Sequence, residues 1–420
     1  MKTSTVKSSQ TPVPKADQAL LLIVAFALAV RVAYVLLAAP EGVHGPDSGL
    51  YDRLAVRLLS EGHYIAEDHL GGISQASRPV LFPFVLAGIY AIFGHSIIAA
   101  QIFQSVLGAL TCGLTYSLGC EAFDRRSGIV AGIGAAIFPQ LIYYTGTITT
   151  ETLHIFLLTA SVWLLFAAAK REAGVLWWLA GGAALGLAIL ARSAALGLLP
   201  LLAVWLLIRT LNWKTAAIRF ACVFAGAAIV MSPWVIRNYR ELDAFVPATT
   251  EGGYTFWVTN NPRAIGGGEC FPPDDLTPFE NLNEVEADRL FYRMGLEHVK
   301  AEPWLFVHRV ASRFVRLWRP WPHASEVGVE EAVIGGVSFV PVLLLFVAGV
   351  AMARRRWREL SLFYTLIIYT TAMCSVYMAV TRYRAPLMPV VLCVAGYAAA
   401  RLYGAIAGRA QYTAYKENHE

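Results

Sequence analysis

The residues able to do chemistry in this chain are the few charges that stand beside long apolar runs. Asp47 lies in Gly45-Pro46-Asp47-Ser48-Gly49-Leu50-Tyr51. A carboxylate held by a Gly/Pro turn can serve as general base toward an incoming hydroxyl. The plainer reading makes Asp47 or Ser48 the N-cap of a helix over Leu50 to Ser60, and the two roles are compatible. Glu151 and His154, in Thr149-Thr150-Glu151-Thr152-Leu153-His154, have the i, i+3 spacing of one helix face. An acid in a first turn is also ordinary dipole compensation. Arg192 interrupts an otherwise uncharged run from Gly174 to Ile208, and needs an anion unless it snorkels to lipid headgroups. Arg78 opens Arg78-Pro79-Val80-Leu81-Phe82-Pro83, while Arg382 and Arg384 stand in Thr381-Arg382-Tyr383-Arg384-Ala385-Pro386. Guanidinium groups donate paired hydrogen bonds that suit phosphate esters. Acids and arginines set around apolar helices meet the needs of a lipid-phosphate site: a greasy groove, cations for the phosphate and a carboxylate for proton transfer.

His44, His63, Asp68 and His69 invite a metal reading, but no tight ligand motif joins them. No cofactor is expected, and a divalent metal stays open. The chain has no P-loop, G-x-S-x-G or dinucleotide fingerprint, which argues against an ATP-driven pump or a nucleotide-sugar enzyme.

These residues must be positioned by membrane helices. The chain is 57% hydrophobic and only 15% charged, with mean hydropathy +0.53. That excludes disorder and a disulfide scaffold, and the +5 net charge is too scattered for a nucleic-acid-binding domain. The expected fold class is an all-α polytopic membrane protein. Ten apolar windows are read as spans: 20–39, 98–119, 128–144, 151–169, 175–191, 193–209, 216–235, 332–352, 360–379 and 385–403. The first follows a leader bearing Lys2, Lys7 and Lys15. It is too long for a signal-peptide core and lacks a cleavage site, so it is kept as an anchor and the mature chain is expected to begin here. The run 79–93, with Pro79 and Pro83 near its start, is read as an interfacial or re-entrant helix.

Fourteen lysines and arginines then fall in inward segments, among them Arg125, Arg126, Lys170, Arg171 and Arg354 to Arg356. Only three, Arg192, Arg382 and Arg384, fall in the short outward loops. This places both termini in the cytoplasm and the charged site on the outer face. Two long segments, 40–97 and 236–331, face outward, which divides the chain into 1–235, 236–331 and 332–420. Within the second, 284–318 mixes Leu290, Phe291, Trp304, Phe314 and Trp318 with Arg289, Arg293, Arg309, Arg313 and Arg316. It is read as an amphipathic stretch on the outer membrane surface, apolar face down. Cys112, Cys222, Cys374 and Cys393 fall in spans, Cys120 at an inner boundary and Cys270 alone in an outward loop, so no structural disulfide is expected.

Eight short motifs in order resemble the GT-C superfamily of polytopic glycosyltransferases. The nearest branch is that of protein O-mannosyltransferases and the bacterial aminoarabinose and hexuronic-acid transferases of lipid A. The motifs are Asp47 after the first span; Arg78 to Gly94; Phe123-Asp124-Arg125-Arg126; Thr150-Glu151-Thr152-Leu153; Ala191-Arg192-Ser193; Pro233-Trp234-x-x-Arg237-Asn238; Gly252-Gly253-Tyr254 with Asn260-Asn261-Pro262; and Arg382-Tyr383-Arg384-x-Pro386. The chain departs from the family pattern at Arg78-Pro79-Val80, where Lys before Pro-Pro is frequent, and at Ser193, where Pro is frequent. A lone Asp47 replaces the Asp-Glu pair of the protein mannosyltransferases, which favours a bacterial lipid or polysaccharide acceptor over a protein.

The resemblance implies an architecture of about ten helices with short interfacial helices in the first outer loop. It implies inverting transfer of a sugar from a polyprenyl-phosphate donor, undecaprenyl-linked in a bacterial cytoplasmic membrane, to a lipid, polysaccharide or protein acceptor. Asp47 would act as base and Glu151 would position its partners or the sugar. Arg78, Arg192 and Arg382 or Arg384 would hold the donor phosphate. Tyr51, His154, Arg237, Asn238, Tyr254 and Trp257 would face the sugar or acceptor, although the aromatic residues equally suit interfacial anchoring. The alternative is a secondary transporter or flippase for an anionic lipid-linked substrate. Its usual marks are repeats and midplane charges, whereas the charges here gather at one face.

Overall fold

A computed structural model describes residues 17–39, 42–43, 46–67, 72–264, 272–321 and 328–417. His44, Asp68, His69, Cys270 and the leader lysines lie outside them. The described chain is almost entirely helical: α1 (Gln18–Leu37), α2 (Pro46–Glu61), α3 (Leu81–Phe93), α4 (Ile97–Ala122), α5 (Arg125–Ile137), α6 (Pro139–Tyr143), α7 (Glu151–Lys170), α8 (Val175–Ala191), α9 (Leu198–Thr210), α10 (Trp213–Leu242), α11 (Gly252–Asn260), α12 (Glu284–Ala301), α13 (Pro303–Trp318), α14 (Val329–Met352), α15 (Ser361–Val376) and α16 (Met388–Glu417). One small antiparallel ribbon, β1 (Ala66–Glu67) with β2 (Ile73–Ser74), pairs Ala66 with Ser74 between α2 and α3.

Helix starts follow the capping side chains. Asp17 accepts from the Ala19 N–H at 3.1 Å, Asp124 from Ser127 at 2.9 Å, and Asn212 from Lys214 and Thr215 at 3.0 and 3.2 Å. The Phe123-Asp124-Arg125-Arg126 turn is thereby explained: Asp124 caps α5 and Phe123 stacks on Tyr397 of α16 at 4.4 Å.

Among the described residues seven helices are long and apolar enough to cross a membrane: α1, α4, α7, α9 counted from Ser193, α10, α14 and the run Thr381–Ala407 into α16. The bent pair formed by α5 and the α6 segment, with a 56° turn, makes an eighth candidate. All ten expected windows are helical, yet α8 and α15 have only 17 and 16 residues. At 1.5 Å per residue they extend about 24 to 26 Å, short of the roughly 30 Å hydrocarbon core. The expected count of ten is therefore not reached by length. The 13 residues of α3 are fewer still, consistent with leaving 79–93 out of the spans.

The bend between α5 and α6 has a chemical cause. Pro139 lacks the N–H that would bond the Ala135 carbonyl, and it turns the backbone at Phe138. Arg31, buried within α1, supplies the missing donors: its Nη2 bonds Ala135 O at 3.1 Å and its Nη1 bonds Ala136 O at 3.2 Å. Gln101 and Gln104 of α4 similarly donate to Gly146 O (2.8 Å) and Thr147 O (2.7 Å). Irregular backbone at membrane depth is tolerable only with such protein partners. These bonds lead the chain into the start of α7, where Glu151 sits.

Close packing completes the bundle. α8 crosses α10 at Gly182 and Gly226; a Cβ on Gly182 would lie 2.0 Å from Val223 O, and one on Gly226 2.1 Å from Leu179 O. Small residues allow this backbone approach, from which dispersion contacts follow.

The two long segments between membrane helices, 40–97 and 236–331, are joined by one carboxylate. Glu284, in the first turn of α12, accepts from Ser74 Oγ (2.6 Å), Gln75 N (2.9 Å), Ala76 N (3.1 Å) and Thr250 Oγ1 (2.7 Å). The 284–318 stretch is two helices, and α13 turns its polar stripe inward. Arg309, Arg313 and Arg316 are buried against the protein, whereas Trp304, Val307, Phe314 and Val315 are exposed. The arginines therefore do not form a solvated face.

Candidate active site

Four charged side chains from four parts of the sequence meet at one end of the bundle. Asp47 stands in the first turn of α2, Glu151 begins α7, Arg192 follows α8, and Arg382 lies in the short 3-10 turn before α16. Arg382 bridges the two acids, with Nη1 on Asp47 Oδ2 at 2.8 Å and Nε on Glu151 Oε1. Arg192 Nη1 donates to the same Glu151 oxygen at 2.7 Å. Tyr383 forms a platform, its ring 4.6 Å from the Arg192 guanidinium and 5.9 Å from that of Arg382. Glu151 is fully buried, whereas the Asp47 side chain is 37% exposed. Asp47 Oδ1 has no hydrogen-bond partner among the described residues. The result is an anchored acid, Glu151, and an accessible one, Asp47, linked by an arginine that keeps further N–H donors available.

A second ion pair flanks this chain. Arg78 Nη1 meets Glu251 Oε1 at 2.5 Å, bringing the residue before α11 to the start of the first outer loop's apolar helix. Tyr51, one turn beyond Asp47, is buried edge-on to Phe82 at 5.6 Å. Burial, with the nearby Glu251 and Asp47 charges, holds its phenol well above the usual range, so it stays a neutral donor.

The other expected residues are occupied differently. His154 Nδ1 donates to Ala188 O at 3.0 Å, pinning α7 to the last turn of α8 just before Arg192. Arg237 donates to Gln75 O (2.7 Å) and Tyr64 O (3.3 Å), and buried Asn238 donates to Val246 O (3.0 Å). Both residues brace the outer loops. Arg384 bonds Leu317 O and Arg319 O, at 3.2 and 3.0 Å, and so holds the end of α13. Tyr254 packs edge-on to Phe291 at 5.3 Å, and Trp257 joins the same small cluster with Phe279 and Ala287, away from the four-charge chain. Among the described residues no group of three or more His, Cys, Asp or Glu could hold a metal. The five described cysteines are free thiols.

Sequence reasoning passed over Arg31, Glu251 and Glu284. Arg31 had a readable signal, a charge inside an apolar window. Glu251 and Glu284 lie in polar segments, where nothing local separates an anchor from a solvated acid.

The matched family profile is described as dolichyl-phosphate-mannose-protein mannosyltransferase and covers residues 77–236. Among solved structures, ArnT from Cupriavidus metallidurans bound to undecaprenyl phosphate aligns with TM-score 0.58 and 18% identity, over 91% of this chain and 60% of that one. The archaeal oligosaccharyltransferase AglB from Archaeoglobus fulgidus, in complex with an inhibitory peptide and a dolichol-phosphate, aligns with TM-score 0.58 and 15% identity, over 94% and 52%. In fold, and in sequence over residues 77–236, the chain is similar to GT-C glycosyltransferases. Among curated relatives of this chain is the undecaprenyl phosphate-alpha-4-amino-4-deoxy-L-arabinose arabinosyl transferase of Pseudomonas aeruginosa (strain UCBPP-PA14), 25% identical over 229 residues, which are 53% of this chain and 41% of that protein. A transferase of the same description, numbered 1, from Pseudomonas fluorescens (strain Pf0-1) is 24% identical over 301 residues, 70% of this chain and 48% of that protein. The chain thus spans less than half the length of these relatives. The profile match takes in Arg78, Glu151 and Arg192; Asp47 and Arg382 lie outside it and join them only in three dimensions.

Proposed function

We propose that this chain is an inverting glycosyltransferase of the GT-C kind that uses a polyprenyl-phosphate sugar, undecaprenyl-linked in a bacterial cytoplasmic membrane. The acceptor is a lipid, polysaccharide or protein hydroxyl on the outer face. The observation that carries this reading is the Asp47–Arg382–Glu151–Arg192 chain, in which the accessible acid keeps an oxygen open beside two guanidinium groups. In the reaction, Asp47 Oδ1 takes the acceptor proton as the acceptor oxygen bonds to the anomeric carbon. The bond from that carbon to the phosphate oxygen breaks, and its electron pair stays on the phosphate. Arg192 and Arg382, with Arg78 beside them, stabilise the charge that grows on this leaving group. Glu151 holds both arginines in place and does not act as the base.

The names of the curated relatives and the titles of the solved structures support the donor class. The excess of cations at the opposite end supports an outward site.

Asp47→Asn keeps the shape and removes the base. Transfer by purified protein in liposomes is expected to fall by roughly 10²- to 10⁴-fold, while binding of the polyprenyl phosphate is largely retained. Full turnover in that variant would reject Asp47 as base.

A further inference from the structure

Away from the four-charge chain, the inward face of α13 carries a cation that the proposed reaction does not use. Arg309 is 2% exposed, its Nε is buried without a partner, and its guanidinium has no hydrogen-bond acceptor among the described residues. One turn further along, Arg313 is 0% exposed and donates only to neutral oxygens: Asn260 Oδ1 at 3.1 Å, Val376 O at 2.9 Å, Ser375 O at 3.4 Å, and Thr259 O. His298 of α12 is close enough to feel the Arg309 charge, and its Nε2 is buried without a partner. The acid acting on Arg309 is Glu302, which is exposed and forms no ion pair with it. Two desolvated guanidinium groups thus lie side by side with no carboxylate bonded to either, an arrangement that is costly unless an anion arrives.

The opposite face of the same helix says where that anion resides. Trp304 is 83% exposed, Val315 62%, Val307 54% and Phe314 51%, so α13 presents apolar side chains outward over its length. A helix of this kind lies in the interface between headgroups and acyl chains. With α13 so placed, the arginines on its inner face would stand beside the headgroups, and the group there that matches a planar donor fork is a phosphate ester.

We infer that Arg309, with Arg313 beside it and His298 facing it, is a binding site for the phosphate of an anionic membrane lipid. The lipid tails lie along the exposed face of α13. The site is separate from donor binding: Arg313 holds the end of α15, from which the chain runs on to Arg382, but Arg309 makes no bond in the four-charge chain.

The test is thermal unfolding and lipid retention of the full chain in detergent, without phospholipid, with phosphatidylglycerol, with phosphatidylcholine and with inorganic phosphate. Phosphatidylglycerol is expected to raise the melting temperature of the wild type more than phosphatidylcholine does. In Arg309→Met its affinity falls about 10- to 100-fold, the effect of losing a charge-assisted hydrogen-bonded contact; Arg309→Lys keeps part of the response. Without phospholipid, Arg309→Met melts at or above the wild-type temperature, because an unpaired buried charge has gone. A merely structural arginine would give the opposite sign. Arg309→Gln is a second neutral variant should the methionine variant not be recovered. Equal retention of phosphatidylglycerol by the wild type and the neutral variants overturns the proposal. Protection by inorganic phosphate equal to that by the lipid overturns the lipid assignment. Turnover is not the readout, so failure of the glycosyltransferase reading leaves this test intact.

Discussion

Glu151 is bonded by two guanidinium groups at once, Arg192 at 2.7 Å and Arg382 through Nε, and is itself fully buried. Removing its charge strands Arg192 and leaves Arg382 with Asp47 alone. Breaking such a buried pair costs about 3 to 5 kcal/mol, so Glu151→Gln is expected to lower the melting temperature sharply as well as abolish transfer. The double variant Glu151→Gln, Arg192→Gln should cost less than the sum of the two single variants, because the second change removes one stranded charge. Additive losses, measured by thermal unfolding of all three, would show that the two residues do not act as a unit. The sequence marked both residues by one argument: a charge kept beside apolar helices needs a partner. It could not pair them, because Arg382 comes from a turn 231 positions beyond Glu151 and only folding makes it the bridge to Asp47. Arg31 illustrates the converse. Its partners are backbone carbonyls freed by Pro139, a need that arises from a bend in another helix and leaves no complementary side chain to find.

Whole elements were more legible than their contacts. Apolar windows marked the helices, whereas the cap expected at Asp47 or Ser48 falls inside α2, which begins at Pro46; hydropathy also cannot say which face of an amphipathic helix meets protein, and α13 turned out to bury its arginines. The union of α11 with α12 was also hidden, and it carries a titratable group. Asp288 Oδ1 accepts from the Gly253 N–H at 2.6 Å, and burial pushes its carboxyl up to about 6, partly offset by that same hydrogen bond. The folded pKa lies above the ordinary aspartate range of the unfolded chain, so the protonated group favours the docked state. This contribution is present below roughly pH 4 and is lost as the pH rises through about 6. Stability relative to Asp288→Asn should therefore decline between pH 5 and pH 7.5, read as the difference between the two melting temperatures at each pH. No change in that difference would show that Asp288 titrates alike in the folded and unfolded chain. The α8–α10 crossing offers a second test at this scale. Gly182→Ala sets a methyl 2.0 Å from Val223 O, so the helices must separate; a loss of about 1 to 3 kcal/mol is expected by overpacking, whereas exposed Gly174, with open space around its Cβ, should accept alanine with little change.

For the molecule as a whole, the two ends of the bundle differ in kind, and this difference is the basis of the orientation proposed for it. One end carries Arg354 to Arg356, Arg358, Lys170 and Arg171 on short turns. There Arg171 pairs with Glu121 at 2.5 Å and Arg356 with Glu359 at 2.8 Å. The other end carries the four-charge chain and the two long segments tied together by Glu284. Short loops rich in arginine and lysine are retained in the cytoplasm during insertion, so in the proposed orientation the end with Asp47 opens to the opposite side. A donor made in the cytoplasm would have to cross the membrane before this site could use it. Cysteine accessibility decides the matter. In a background with the six native cysteines replaced, Glu280→Cys, exposed in the second outer segment, is expected to react with a membrane-impermeant maleimide in intact spheroplasts. Lys214→Cys, exposed at the head of α10, should react only after lysis. The reverse pattern would place the carboxylates and arginines in the cytoplasm, and with them the polyprenyl phosphate they are proposed to bind.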